Sequence, residues 1–134
     1  MKNVLVLCTG NSCRSQMAEA WLRFYHNKDI NVFSAGLEAH GINPYMKKVM
    51  EMVSINIDSH TSNTMKEYEG RIFDLVITVC DHAKDNCPYF KDAKKRLHKA
   101  FQDPADAKGT DEEKVKIYSS VRDEIQEFCK DLKF

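Results

Sequence analysis

The chain has 134 residues, 43% of them apolar, and its 20 basic and 20 acidic side chains leave no formal net charge. That length suits one domain spanning residues 1–134 around a single core, and the charge balance excludes a broad pull toward nucleic acid or an anionic membrane. No segment approaches the roughly 18 apolar residues of a membrane span; the five cysteines, an odd number in a sequence that runs from Met1 straight into a strand pattern, argue against a secreted disulfide framework and for thiol chemistry in the cytoplasm.

The first element is the continuous apolar run of residues 3–8, which reads as a parallel strand buried on both faces. It ends on Cys8, and Thr9, Gly10, Asn11, Ser12, Cys13, Arg14 and Ser15 follow. A loop of this length can turn its backbone N–H groups inward while a helix starting near Ser15 aims the positive end of its dipole at the same point. Arg14 adds a planar fork of donors suited to a tetrahedral oxyanion. The same field acts on Cys8: a free thiol pKa of about 8.5 falls to roughly 3.5–7.5 at a helix N-terminus or beside a cation. Cys8 is therefore expected to be a thiolate, with Ser15 donating its hydroxyl to the sulfur. Gly10 and Asn11 are expected to supply left-handed backbone.

From Ser15 to Tyr25 the apolar residues Met17, Ala20, Trp21 and Phe24 recur at helical spacing, and Ile30 to Ala35 reads as a second strand ended by Gly36. Asn43 as N-cap and Pro44 at the first helical position open a second helix with Met46, Val49, Met50 and Val53 on one stripe. Residues 73–79 form another strand of the buried type, and 96–101 a shorter one nearer the edge, with a polar, lysine-rich stretch between them. The last helix starts at a capping box, Thr110 with Glu113, and carries Ile117, Val121, Ile125, Phe128 and Leu132 inward. Strands alternating with helices of this length predict an α/β fold with a mostly parallel sheet, whose ligands bind beyond the carboxyl ends of the strands.

Cys8 and Cys80 both stand at such ends. If their strands are neighbours, Cys80 approaches the Cys8 loop, and Cys87, seven residues on across a polar segment with little to anchor it, reaches Cys80 once that segment rearranges. Cys80, His82, Cys87 and His98 match none of the usual zinc spacings. Asp103, in the loop after the edge strand, is placed to swing over the anion trap and protonate a departing oxygen.

With these residues in view, the chain resembles the thioredoxin-coupled arsenate reductases of the low-molecular-weight tyrosine phosphatase fold. The most specific stretches are residues 8–19, residues 34–41 (Ser34 to Gly41) and Val121-Arg122-Asp123-Glu124-Ile125. The resemblance implies a three-layer fold with a four-stranded parallel sheet in the order 2-1-3-4 between helices. It also implies a three-cysteine mechanism: Cys8 attacks arsenate, Asp103 protonates the departing oxygen, Cys80 attacks the Cys8–arsenic adduct to release arsenite, and Cys87 attacks Cys80. The Cys80–Cys87 disulfide is then left for thioredoxin, although glutaredoxin can in principle serve the same bond. A monomer without a tightly bound cofactor is expected. Cys13 looks structural, and Cys129 has no counterpart role. Some relatives hold potassium beneath the loop. Three of its ligands appear here as Asn11, Glu19 and Ser34, while Asn63 stands where those relatives carry aspartate, which removes one charge and weakens the site.

The rival enzyme reading is a phosphatase acting on phosphate monoesters through a Cys8 phosphoenzyme, since Cys8, Arg14 and Asp103 serve both reactions. It has no use for Cys80 and Cys87, and Gln16 and Ala105 stand where such phosphatases usually carry proline and tyrosine. A non-enzymatic alternative is an oxyanion-binding or redox-sensing module in which Cys8 oxidises without turnover.

Overall fold

The opening apolar run forms strand β1 (Lys2–Cys8), and Val4 to Leu7 are all buried, so side chains on both faces of the strand are covered. In the computed structural model, which describes residues 1–86 and 93–134, helix α1 (Arg14–His26) follows β1 after the short loop. Strand β2 (Ile30–Gly36), helix α2 (Pro44–Glu51) and a 3-10 turn (Met65–Tyr68) come next. Then come β3 (Leu75–Thr78), α3 (Asp81–Asn86), β4 (Lys95–His98), a second 3-10 turn (Pro104–Asp106) and the long helix α4 (Asp111–Asp131).

The four strands are all parallel, in the order β2-β1-β3-β4, with helices flanking the sheet, as the resemblance implies. Register fixes the site: Cys8 lies opposite Gly36 on one side of β1, and Leu7 lies opposite Thr78 on the other. Because every strand points the same way, the residues that follow them, the Cys8 loop, the segment after Gly36, Cys80 and the stretch after His98, collect at one edge of the sheet.

Both helix starts read from the sequence are realised. The Asn43 side chain accepts from the N–H groups of Tyr45 (2.9 Å) and Met46 (3.1 Å), and Thr110 and Glu113 cap each other reciprocally. Three details differ. Phe24, placed on the buried stripe of α1, is 60% exposed, because α1 is buried on all sides only over Ser15 to Leu22, and in its last turn Tyr25 and His26 rather than Phe24 face α4, bonded to Gln126 and Cys129. On α4 the buried residues include Tyr118, Arg122 and Cys129, whereas Ile117 and Phe128 are only partly covered, a rotation of one residue. Arg122 sits deep because its Nη1 donates to the Val49 carbonyl (2.9 Å) and ties α4 to the end of α2.

Third, the polar stretch after Cys80 is helical over Asp81–Asn86 rather than unanchored. Ala83 is fully buried, and Asp81 meets His98 of β4 at 2.7 Å. β4 also ends earlier than 96–101, at His98, but the next residues stay attached to the end of β3 through Lys99 N–H to Thr78 O (3.0 Å) and Phe101 N–H to Val79 O (3.1 Å). Phe101 then packs edge-on against Phe128 of α4, which carries the following loop back toward the Cys8 site.

Ile125 is fully buried on α4. Ile125→Ala is expected to lower unfolding stability by about 2–5 kcal/mol through the cavity it leaves, read from the urea midpoint at unchanged slope.

Candidate active site

Residues 8–14 connect the end of β1 to the start of α1, and the direction of their carbonyls decides what the loop can bind. Leu37 N–H donates to Cys8 O (3.3 Å), Glu38 N–H to Thr9 O (2.9 Å), His40 N–H to Gly10 O (2.9 Å) and Asn43 N–H to Ser12 O (3.1 Å). The Asn11 carbonyl accepts from the Gln16 amide at 3.0 Å and the Ser62 hydroxyl at 2.9 Å. With the carbonyls drawn outward into this collar, the N–H groups are left on the inner side, and no side chain caps the start of α1. Free amides converging at a helix N-terminus bind anions. They face a cavity of about 180 Å³ lined among others by Cys8, Ser12, Arg14, His40 and Asp103.

Asn11 adopts the left-handed backbone expected of it, at φ 47°. Gly10 does not. Its lack of a side chain is needed for space, since a Cβ there would fall 2.3 Å from the His40 ring. Gly36 is less forgiving, because the atoms met are main chain: a Cβ would fall 2.4 Å from the backbone of Glu38 and 2.7 Å from that of Thr9 and Asn11, so the end of β2 passes directly against the loop. Gly36→Ala is expected to push the loop out of shape and lower kcat/KM by up to about 100-fold, the scale of an ångström misplacement, with weakened phosphate inhibition as the accompanying sign.

The side chains of Asn11 and Ser15 are buried behind the loop rather than in the cavity. Asn11 Nδ2 donates to Ser15 Oγ (2.8 Å) and Ser34 Oγ (2.9 Å), and its Oδ1 accepts from Asn63 N–H (2.7 Å). Since Ser15 Oγ accepts there, its own proton is free for Cys8. The Cys8 thiol is held well below the ordinary cysteine range: a hydrogen bond from Cys80 is the largest cause, burial opposes it, and the Arg14 charge and Ser15 add to it. Cys80 shifts the other way, raised by giving its proton to Cys8 and by burial, with the Thr9 hydroxyl 3.4 Å from its sulfur. The two sulfurs thus form a thiolate and a thiol in contact.

Arg14, 11% exposed, sends Nη1 to the Phe101 carbonyl (3.2 Å) and Nη2 toward Asp103 Oδ2 (3.4 Å). The other Asp103 oxygen accepts from Ala105 N–H (3.0 Å), which caps the Pro104–Asp106 turn. The structure therefore brings together Cys8, Arg14, Ser15, Asp103 and Cys80, while Cys87 lies outside the described residues. Burial raises the thiols of Cys13 and Cys129, the latter to about 12, and Cys129 only faces the Ala18 carbonyl between α1 and α4.

Two supports were not singled out from the sequence. Gln16 is fully buried and clamps α1 to the 60–63 segment, with Nε2 donating to Asn11 O (3.0 Å) and Thr61 O (2.9 Å) and Oε1 facing His60 Nδ1 (2.9 Å). Ser62 receives Gly41 N–H at 3.1 Å. Only the position of Gln16 immediately after Ser15 could have pointed to the first, since two of its three partners, His60 and Thr61, are 44 and 45 residues away.

Asn11, Glu19, Ser34 and Asn63 do assemble behind the loop, but as a closed hydrogen-bond network. Ser34 donates to Glu19 Oε1 (2.6 Å), the Arg23 guanidinium sits on Glu19 Oε2 (3.1 Å), and Asn11 Oδ1 is taken by the Asn63 backbone. The one carboxylate already has its positive charge, and a potassium ion would have to stand beside a guanidinium. These residues do not fit that ion. Among the described residues no group of three or more His, Cys, Asp or Glu side chains is arranged to hold a metal, and no helix is long and apolar enough to cross a membrane.

The family model described as low molecular weight phosphotyrosine protein phosphatase matches residues 3–133. An arsenate reductase from Halalkalibacterium halodurans is 50% identical over 124 residues, which is 92% of this chain and 89% of that protein. A solved arsenate reductase in its phosphate-binding state superposes with a TM-score of 0.82 at 29% identity, covering 96% of this chain and 94% of the other. The YwlE arginine phosphatase from Geobacillus stearothermophilus superposes at a TM-score of 0.76 and 25% identity, covering 96% and 88%.

Proposed function

We propose that this chain, which belongs to the low molecular weight phosphotyrosine protein phosphatase family, reduces arsenate to arsenite with three cysteines. The observation that carries the reading is the placement of Cys80 beside Cys8, at the ends of the neighbouring strands β3 and β1 and against Thr9 of the loop, with the two thiols shifted in opposite directions. A phosphatase resolves its intermediate with water and gains nothing from a second sulfur there.

In this reading the loop amides and Arg14 bind the tetrahedral oxyanion, and the Cys8 sulfur attacks arsenic as an oxygen leaves with a proton from Asp103. Cys80 then attacks the Cys8 sulfur, the electron pair of the breaking S–As bond stays on arsenic, and arsenite departs from a Cys8–Cys80 disulfide. Cys87 next attacks Cys80, freeing Cys8 and leaving a Cys80–Cys87 disulfide for a dithiol reductant of the thioredoxin class. Such a cycle belongs to a reducing compartment such as the cytoplasm, and it needs neither a bound cofactor nor a second copy of the chain.

Hydrolysis of phosphate monoesters is the secondary reading, favoured by the same Cys8, Arg14 and Asp103 geometry and by the likeness to phosphatases of this fold. Cys80→Ser separates the two. A serine hydroxyl can still donate to Cys8, so para-nitrophenyl phosphate hydrolysis is expected to persist while arsenate-dependent NADPH consumption with thioredoxin and its reductase stops. Cys87→Ser is expected to give the same split. Arsenate turnover that survives either change overturns the relay.

A further inference from the structure

We propose that the same pocket reduces small hydroperoxides, with Cys8 as the attacking sulfur and Cys80 as the resolving one. The proposal rests on the reading of Cys8 as nucleophile and Cys80 as its partner, but it needs neither arsenic nor Cys87. A thiolate that meets peroxide becomes a sulfenic acid, and what happens next depends on whether a thiol is near. Without one, a second peroxide drives it irreversibly to sulfinic acid.

Here the thiol is built in. β1 and β3 are hydrogen-bonded neighbours in register through Leu7 and Thr78, and Val79 N–H still bonds Leu7 O at 3.0 Å, so Cys8 and Cys80 leave adjacent strands side by side. Both are buried, and the Cys80 sulfur is steadied 3.4 Å from the Thr9 hydroxyl. Cys13, the other loop cysteine, is kept protonated by its burial and by the neighbouring Asp103 and Cys8 charges, so it is the weaker competitor for Cys8. The cavity of about 180 Å³ above Cys8 has room for hydrogen peroxide, and the donors that would hold an oxyanion, Arg14 foremost, suit the developing negative charge on the departing oxygen.

The balance is simple. The Cys8 thiolate attacks one peroxide oxygen, the O–O bond breaks, and the leaving hydroxide or alkoxide takes a proton from Asp103 and departs as water or an alcohol. Cys80 sulfur then attacks Cys8 sulfur, the S–O bond breaks, and the Cys80 proton leaves with that oxygen as a second water. The pair of thiols has lost two electrons and one peroxide has gained them. An external dithiol reduces the Cys8–Cys80 disulfide, directly or after Cys87 has taken it over.

The test exposes the reduced protein to hydrogen peroxide without arsenate, blocks free thiols by alkylation, and maps the bridged peptides by mass. A Cys8–Cys80 bridge that dithiothreitol reverses is expected, in the Cys87→Ser variant as the end product and in the natural chain together with Cys80–Cys87. Saturating inorganic phosphate is expected to slow its formation by filling the loop, and Cys80→Ser to convert Cys8 to sulfinic acid instead. With thioredoxin, its reductase and NADPH, peroxide-dependent consumption is expected from the natural chain and lost in Cys8→Ser. A Cys8–Cys13 bridge, or sulfinic acid at Cys8 in the natural chain, overturns the proposal. Arsenate turnover by the same preparation separates the two readings: present without peroxide reduction, it removes this inference alone; absent as well, it removes the reductase reading too.

Discussion

Cys8→Ser is expected to abolish arsenate reduction and phosphate ester hydrolysis together, leaving no turnover above the protein-free background in either assay. The argument is the asymmetry the site imposes on sulfur and oxygen. A hydrogen bond from Cys80, the Arg14 charge and the Ser15 hydroxyl pull the thiol well below its ordinary range, toward the anion, against the cost of burial. A serine hydroxyl ionises far above any pH these contacts can reach, and there is no histidine among the cavity-lining residues except His40, whose Nε2 is engaged by Glu38 at 2.6 Å, to take its proton. Oxygen also lacks the redox chemistry that forms a disulfide. The variant should still fold, because sulfur to oxygen is a small change, and should still bind phosphate through the loop amides. Retained phosphate binding without turnover, measured by protection of the loop or by calorimetry, locates the loss in chemistry. The same thiolate gives a pH signature: alkylation of Cys8 by iodoacetamide should already be near its maximal rate at neutral pH, whereas an ordinary cysteine would still be accelerating toward pH 8.5.

The second large effect belongs to Asp103. Asp103→Asn is expected to slow the first chemical step by about 10²–10⁴-fold, the usual contribution of a positioned general acid. Asparagine is the informative substitution because Asp103 does two jobs. One oxygen caps the Pro104–Asp106 turn by accepting from Ala105 N–H at 3.0 Å, and an asparagine oxygen keeps that cap. The other faces Arg14 at 3.4 Å, at the rim of the cavity, where the proton must be delivered, and the amide cannot deliver it. Single-turnover reaction with para-nitrophenyl phosphate and with arsenate should fall in parallel, since both lose an oxygen leaving group. An unchanged rate assigns the proton to another donor. A fall confined to arsenate would place Asp103 in the thiol relay instead.

Much of the fold was legible because it rests on local rules. The run from Val4 to Leu7 could only be a strand covered on both faces, the Asn43-Pro44 and Thr110–Glu113 caps fixed two helix starts, and the alternation of strands and helices fixed a parallel sheet. The errors lie where packing overrides periodicity. Phe24 has the right spacing for the stripe of α1 but points to solvent where Tyr25 and His26 take the contacts with α4, and Arg122, a charge no periodicity would place inside, is buried because the Val49 carbonyl of another helix needs a donor. Gly10 was assigned a backbone role from its residue type, whereas the His40 ring, thirty residues away, is what excludes a side chain there.

The order Cys8, Asn11, Arg14, Ser15 was enough to propose an anion-binding thiolate loop, since a strand end, a tight loop and a helix start are all contiguous and their dipoles and donors act over a few residues. It took the folded chain to set Cys80 beside Cys8, to have residues 37–43 draw the loop carbonyls outward, and to put the Arg23 charge on Glu19, which leaves the already weakened potassium ligands unfit for that ion. Those relations join residues from different strands and helices, and their hydrogen bonds exist only once the parallel sheet has brought the strand ends to one edge.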